Sequence, residues 1–456
     1  MQRLSTGNAS LDRILGGGLP RNSINIVMGL PGTGKTILAE QLAFANGSAE
    51  RPVLYLTTLS EPLPKIVTYL QELSFAEVER IGTEVQYESL VEPLRERPDQ
   101  LADYVAELIE RKRPSVVIID SFKAIMELAP DAAHWRRTVF DVASVLTAYD
   151  LTALWVGEYA HDSVDRLPEF AVADGIVELR RLQSGSRDDR FLQVVKLRGS
   201  AFLDGEHAFV LSAGGLTVYP RLVGPSGSRR YEATPERLQS GIEGLDALVE
   251  AGWLRGTSTL VAGPSGAGKT ILGLHFLRHG VEQGEPGLLV NFQESPAQIH
   301  RAMKSLDWDA DALLQPGKLD QLYSSPVELQ IDTIIQEVLR RIEANGVRRV
   351  VVDALGDLAK AAADPRRFSD YIYALSQEMA RRGITSMLIV EAPGDTGSGY
   401  IISGRDVSEM SDNTLLLAME LRPEFERTVR IIKTRGSAHD GARHVLRISR
   451  GGIVVE

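Results

Sequence analysis

With 456 residues the chain exceeds one ordinary domain and suits two or three, and its 43% hydrophobic and 24% charged residues fit a globular protein. A net charge of −11 argues against a surface built to grip nucleic acid, and the lack of cysteine excludes disulfides, thiolate metal sites and cysteine nucleophiles. No secretory signal opens the sequence and no apolar run has membrane-span length, so a cytoplasmic protein with no membrane partner is expected.

In chain order, an apolar strand is predicted over 24–28, running into a Gly-rich turn and a helix that starts at Thr36. A second strand follows at 53–57, then amphipathic helices, then a very apolar strand, 116–120, that ends on Asp120. Another buried strand is expected over 151–157, and a hairpin pairing 175–182 with 191–197 closes the unit. The succession then restarts: strand 258–262, Gly-rich turn, helix from Thr270, strands 287–292, 350–353 and 384–391, and a hairpin of 414–421 with 428–433. Apolar strands alternating with helices predict an α/β fold: a mainly parallel sheet covered on both faces, extended antiparallel at one edge by the hairpin.

The restart is a duplication. Residues 3–36 read RLSTGNASLDRILGGGLPRNSINIVMGLPGTGKT, and residues 237–270 read RLQSGIEGLDALVEAGWLRGTSTLVAGPSGAGKT. Lys35 maps onto Lys269 at an offset of 234, Asp120 onto Asp353 at 233, and Lys196 onto Lys433 at 237. Such a constant offset means two homologous domains, 1–223 and 236–456, and the segment between them, GPSGSRRYEATP at 224–235, has linker composition.

Each copy carries G-x-x-x-x-G-K-[ST] between a strand and a helix. The first is Gly29-Leu30-Pro31-Gly32-Thr33-Gly34-Lys35-Thr36, and the second is Gly263-Pro264-Ser265-Gly266-Ala267-Gly268-Lys269-Thr270. The glycines let backbone N–H groups turn inward around a phosphate, and the helix N-terminus adds positive potential. The lysine reaches the β- and γ-phosphates and the threonine hydroxyl meets Mg²⁺, so each copy is expected to hold ATP·Mg²⁺. Asp120 and Asp353, at the ends of buried strands beside these loops, are the expected second contacts to the metal.

Both copies also carry K-x-R-G-S, as Lys196-Leu197-Arg198-Gly199-Ser200 and Lys433-Thr434-Arg435-Gly436-Ser437. Lysine and arginine two apart on a strand point to one side and suit one phosphate. Far along the chain from their own loops, they suit a neighbouring subunit's nucleotide, as an arginine finger supplied in trans.

These residues, with the entry motif from Ser5 to Arg21 (STGNASLDRILGGGLPR), resemble the KaiC family of RecA-superfamily ATPases over nearly the whole chain. The resemblance implies two RecA-like P-loop domains in tandem and a two-tiered homohexamer with ATP at subunit interfaces. Lys196, Arg198, Lys433 and Arg435 would then face an adjacent γ-phosphate. It also implies two adjacent glutamates after the second strand that polarise the attacking group. The second copy reads Phe292-Gln293-Glu294-Ser295-Pro296 and keeps one, while the first puts Leu59 and Ser60 there, with Glu61 a residue later. Glu294 is the expected catalytic carboxylate, with Lys269 and Lys35 beside the phosphates and Glu61 a weak substitute. Where clock members phosphorylate an adjacent Ser-Thr pair, this chain has Ser408 followed by Glu409, which leaves Ser408 as the one phosphoacceptor candidate. The chain ends directly after its last predicted strand, so a full circadian oscillator is not implied.

The leading function is a slow ATPase whose nucleotide state sets ring assembly and binding of a regulatory protein still to be identified, with weak serine autokinase activity as an addition. Two alternatives stand beside it. One is a scaffold assembled by ATP with vestigial hydrolysis, and the other a RecA/RadA-like DNA-dependent ATPase.

Overall fold

In the first copy, Ile24–Met28 (β1) is buried along its whole length, as a strand covered on both faces must be. The others are Val53–Thr57 (β2), Val85–Ser89 (β3), Val116–Asp120 (β4), Thr152–Gly157 (β5), Gly175–Ser184 (β6), Arg187–Leu197 (β7), Glu206–Ser212 (β8) and Gly215–Tyr219 (β9). They form one nine-stranded sheet in the order β3-β2-β4-β5-β1-β6-β7-β8-β9. Pairing is parallel from β3 across to β6 and antiparallel from β6 outward.

The second copy repeats this. Its strands are Ser258–Gly263 (β10), Gly287–Asn291 (β11), Leu319–Tyr323 (β12), Arg349–Asp353 (β13), Thr385–Glu391 (β14), Asn413–Arg422 (β15), Glu424–Thr434 (β16), Arg443–Ser449 (β17) and Gly452–Val455 (β18). The order β12-β11-β13-β14-β10-β15-β16-β17-β18 matches the first sheet strand for strand. The computed structural model describes residues 2–58, 63–96, 100–149, 151–184, 187–224, 234–326, 329–362, 364–392, 401–402, 405–422 and 424–456.

Strand alternation divides each core into two layers. Val27, Tyr55, Ile118, Leu154 and Val177 pack with Leu38 and Leu42 of the helix Lys35–Asn46 (α1). Their neighbours Ile26, Leu54, Ile119, Trp155 and Ile176 pack on the opposite face with Val105, Leu108, Val139 and Val142 of two further helices. In the second copy Val261, Leu289 and Val351 meet Leu272 and Phe276 of Lys269–Glu282 (α2), while Leu260, Leu288 and Val350 meet Ile335, Val338 and Leu375.

The tandem α/β architecture, with parallel centres and antiparallel edges, is the one the sequence predicts. Both loop helices start at the lysine rather than the threonine, because Gly34 and Gly268 stand outside the helix at φ +100°. The chain separates into two compact units, Met1–Arg221 and Leu222–Glu456. Leu222 packs on the second unit's core. The linker stretch 225–233 lies outside the described residues.

Candidate functional site

Parallel register gathers the chemistry at one edge of each sheet. Met28 stands beside Gly157, Thr57 beside Asp120, and Asn291 beside Asp353, so the Gly-rich loop and the strand-end aspartates share the carboxyl edge. Open α/β sheets bind ligands at that edge. There each copy opens a cleft, of about 520 Å³ in the first domain and about 540 Å³ in the second.

The loop geometry depends on glycine where helix begins. At φ +100°, Gly34 and Gly268 occupy a conformation that an L side chain resists. A Cβ on Gly268 would also lie 2.9 Å from Ile448 Cδ1, and one on Gly34 would lie 3.1 Å from Leu211. The antiparallel extension of each sheet thus packs directly on its own loop.

Within the clefts, Thr270 Oγ1 donates to Asp353 Oδ2 at 2.6 Å, and Thr36 Oγ1 to Asp120 Oδ2 at 2.9 Å. Burial pushes both carboxyls above their usual range and the threonine hydroxyls oppose it. Lys269 Nζ rests on the loop carbonyls of Gly263 (2.9 Å) and Pro264 (2.7 Å), and Lys35 Nζ on that of Leu30 (3.0 Å). Burial lowers both ammonium pKa values; Glu391 and Asp353 counter this in the second cleft, Glu158 and Asp120 in the first.

Ser265, Gly266, Gly268, Lys269, Thr270, Asp353, Gln293 and Glu294 line the second cleft together. Gly32, Gly34, Lys35, Thr36 and Asp120 line the first. Ala267 lies in the second domain's core and Thr33 donates to Leu30 O, so these two residues serve the loop through backbone and support. The half-buried carboxyl of Glu294 is raised by burial and then by Asp353, and among the described residues its Oε2 has no hydrogen-bond partner. Leu59, Ser60 and Glu61 lie outside the described residues.

The Lys/Arg pairs stand apart from these clefts. Lys196 Nζ donates to Phe170 O and Arg198 reaches Asp174 and Ala171 O, so the pair faces one segment, as alternation requires. Lys433 Nζ donates to Ser411 O at 2.6 Å, and Arg435 is exposed. Ser408 falls in the helical turn Val407–Met410, just before the buried Ser411.

Glu158, Glu391, Lys123 and Arg427 are among the cleft residues that the sequence analysis does not single out. Arg427 Nε donates to Gly266 O at 3.0 Å, and Lys123 Nζ donates to Glu158 O at 2.5 Å. The repeat itself holds the missed signal. Glu158 maps onto Glu391 at the offset of the two aspartates, 233, and Arg190 onto Arg427 at the offset of the two lysines, 237. Lys123 has no such counterpart, because Gly356 stands at its place in the second copy.

Two P-loops at the carboxyl edges of two matching sheets, each beside a strand-end aspartate, define a tandem ATPase with RecA-like domains. The chain belongs to the KaiC family of ATPases: that family's model matches residues 4–223 and again 238–456. It is similar to the circadian clock oscillator protein KaiC of Picosynechococcus sp., 27% identical over 482 residues that cover 100% of this chain and 90% of that protein. KaiC of Thermosynechococcus vestitus is 29% identical, covering 100% and 89%, and KaiC 1 of Synechocystis sp. is 27% identical, covering 99% and 88%. Among the described residues, no helix is long and apolar enough to cross a membrane.

Proposed function

We propose that each domain binds ATP·Mg²⁺, that the second hydrolyses it slowly, and that nucleotide binding assembles the chain into a ring, most simply a homohexamer. The observation that carries the catalytic part is the second cleft. There Lys269, the Thr270–Asp353 pair and a Glu294 oxygen with no hydrogen-bond partner among the described residues line one cavity.

The residues fit magnesium. Thr270 with Asp353, and Thr36 with Asp120, are hard oxygen donors already in contact. Among the described residues no group of three or more His, Cys, Asp or Glu could hold a metal ion. Magnesium suits such sparse sites, because it keeps waters and leans on substrate phosphates rather than a protein cage. When bound it neutralises charge on the β- and γ-phosphate oxygens. Lys269 and the loop N–H groups hold the phosphates, and Glu294, whose raised pKa makes it the better proton acceptor, orients the attacking water. Lys196 with Arg198, and Lys433 with Arg435, complete a neighbour's site in trans.

In the first cleft Lys123 adds a cation beside Lys35 and Glu158, and the paired-glutamate positions carry Leu59 and Ser60. That combination favours holding ATP over hydrolysing it. Phosphate release by the purified chain, compared with Lys269→Ala, tests the reading, and equal release by both would overturn it. The second reading is a scaffold assembled by ATP with vestigial hydrolysis, which Gln293 in place of a glutamate favours. Assembly on ATP with no release above the Lys269→Ala level would establish it. Residual serine autokinase activity at Ser408, a cytoplasmic location and a regulatory protein partner complete the proposal. Salt-sensitive binding of single-stranded DNA would point instead to a DNA-dependent ATPase.

A further inference from the structure

Gln293 replaces the first of two glutamates that the family resemblance implies, yet it is not a loose substitute. Its Nε2 donates to Asp357 Oδ2 at 2.9 Å, and Asp357 is 3% exposed, on the helix Leu355–Ala361 that follows the strand-end Asp353. The other oxygen of Asp357 accepts from Lys360 Nζ at 3.3 Å, which compensates its charge. An ionised carboxylate only accepts hydrogen bonds, so the amide must turn its NH₂ end towards Asp357. The carbonyl end, Oε1, is then the one left to face solvent, and Gln293 is exposed and lines the cleft with Glu294.

From this geometry we infer that Asp357 is a positioning residue of the second site: it fixes the polarity of Gln293 so that an acceptor, Oε1, is presented to the attacking water beside Glu294. This deepens the proposed hydrolysis and rests on it. A neutral amide held this way orients water without being a base. The arrangement also accounts for glutamine rather than glutamate at position 293, since a carboxylate there would meet that of Asp357 at hydrogen-bond distance, and like charges so close repel. The first copy has none of these parts: Leu59, Ala124 and Glu127 occupy the places of Gln293, Asp357 and Lys360.

The test is a swap on the full chain, reading kcat, KM for ATP and the unfolding midpoint. Asp357→Ala should lower kcat about tenfold and leave KM within about twofold, the signature of an interaction made mainly in the transition state. Gln293→Glu alone should also lower kcat and drop the midpoint by about 2–4 °C, as a loss near 1 kcal/mol does in a domain of this size. Gln293→Glu with Asp357→Asn restores a donor–acceptor pair with reversed polarity, because the asparagine NH₂ donates to the new carboxylate. It should recover the midpoint and bring kcat to or above the wild-type value. An unchanged kcat in Asp357→Ala, or a gain from Gln293→Glu alone with its midpoint intact, would overturn the inference. If Asp357→Ala does not fold, the other two variants decide. If the wild-type chain releases no phosphate above Lys269→Ala, the hydrolysis reading fails on its own, and additive midpoints in the swap would separately reject the pairing.

Discussion

Arg198 lies 3.4 Å from Asp174, whose carboxylate also accepts the amide of Ile24, the first residue of the strand that ends in the Gly-rich loop. Five strand residues put that arginine roughly 17 Å from the loop of its own domain. The second copy repeats the arrangement: Arg435 N donates to Asp412 O, and Asp412 accepts the amide of Ser258, where β10 starts. A long side chain cannot span that gap, which supports the proposal that these cations meet a nucleotide held by another subunit. ATP·Mg²⁺ should therefore raise the particle mass from one chain towards six, and Arg198→Ala or Arg435→Ala should shift assembly to higher ATP. Light scattering with and without nucleotide checks this, and a mass fixed at one chain would sink it.

The two clefts should differ in catalysis. Glu294 and Gln293 line the second, whereas Leu59 and Ser60 stand at the corresponding positions of the first. Loss of a water-positioning group typically costs two or more orders of magnitude in rate. Lys269→Ala should thus remove most phosphate release, and Lys35→Ala should mainly weaken assembly. Equal loss of turnover from either change, with assembly intact, would reject the division.

Much of this was readable beforehand, for identifiable reasons. Strands buried on both faces are continuous apolar runs, so β1, β2 and β4 fall where the sequence puts them. The Gly-rich loops are set by local backbone needs, which leave a local signature. What the sequence did not reveal depends on pairing across distance. That Gln293 meets Asp357 follows from how the helix after Asp353 folds back onto the carboxyl edge, 64 residues on. Glu158 and Glu391 are ordinary charges at strand ends, and Arg427 an ordinary charge within β16, until the sheet order places them beside a loop. The glycine at φ +100° moved each helix start back by one residue, a detail that composition does not carry.

Phosphorylation of Ser408 should be slow, substoichiometric or absent. Glu409 follows it in the same helical turn, and adding a dianionic phosphate beside a carboxylate is opposed by repulsion. Gln293 offers no base for the serine proton, and its amide is engaged by Asp357. Intact mass and phosphopeptide mapping after long incubation with ATP·Mg²⁺ measure it. Rapid, stoichiometric phosphate on Ser408 would show that Glu294 suffices as the base.

The second domain should also lose stability in mild acid through one histidine. His275 lies on α2, 6% exposed, and its Nε2 accepts the backbone N–H of Ile453 at 2.8 Å. That bond needs a neutral ring, with Trp308 edge-on at 4.7 Å. Burial first, and the Arg278 guanidinium second, push its pKa down to about 4, with Glu282 opposing. In the unfolded chain the value is about 6.5, so between the two the unfolded state holds a proton that the folded state does not. Stability from this group is then fully present above pH 6.5 and falls as pH drops towards 4, by at most about 3 kcal/mol. Because Ile453 belongs to the edge strand β18, protonation loosens the hairpin whose Ile448 packs against the Gly268 loop. Unfolding midpoints between pH 7 and 4.5 should therefore fall less steeply in His275→Gln, which keeps an acceptor and cannot charge. Parallel pH profiles for the variant and the wild-type chain would remove His275 from the account.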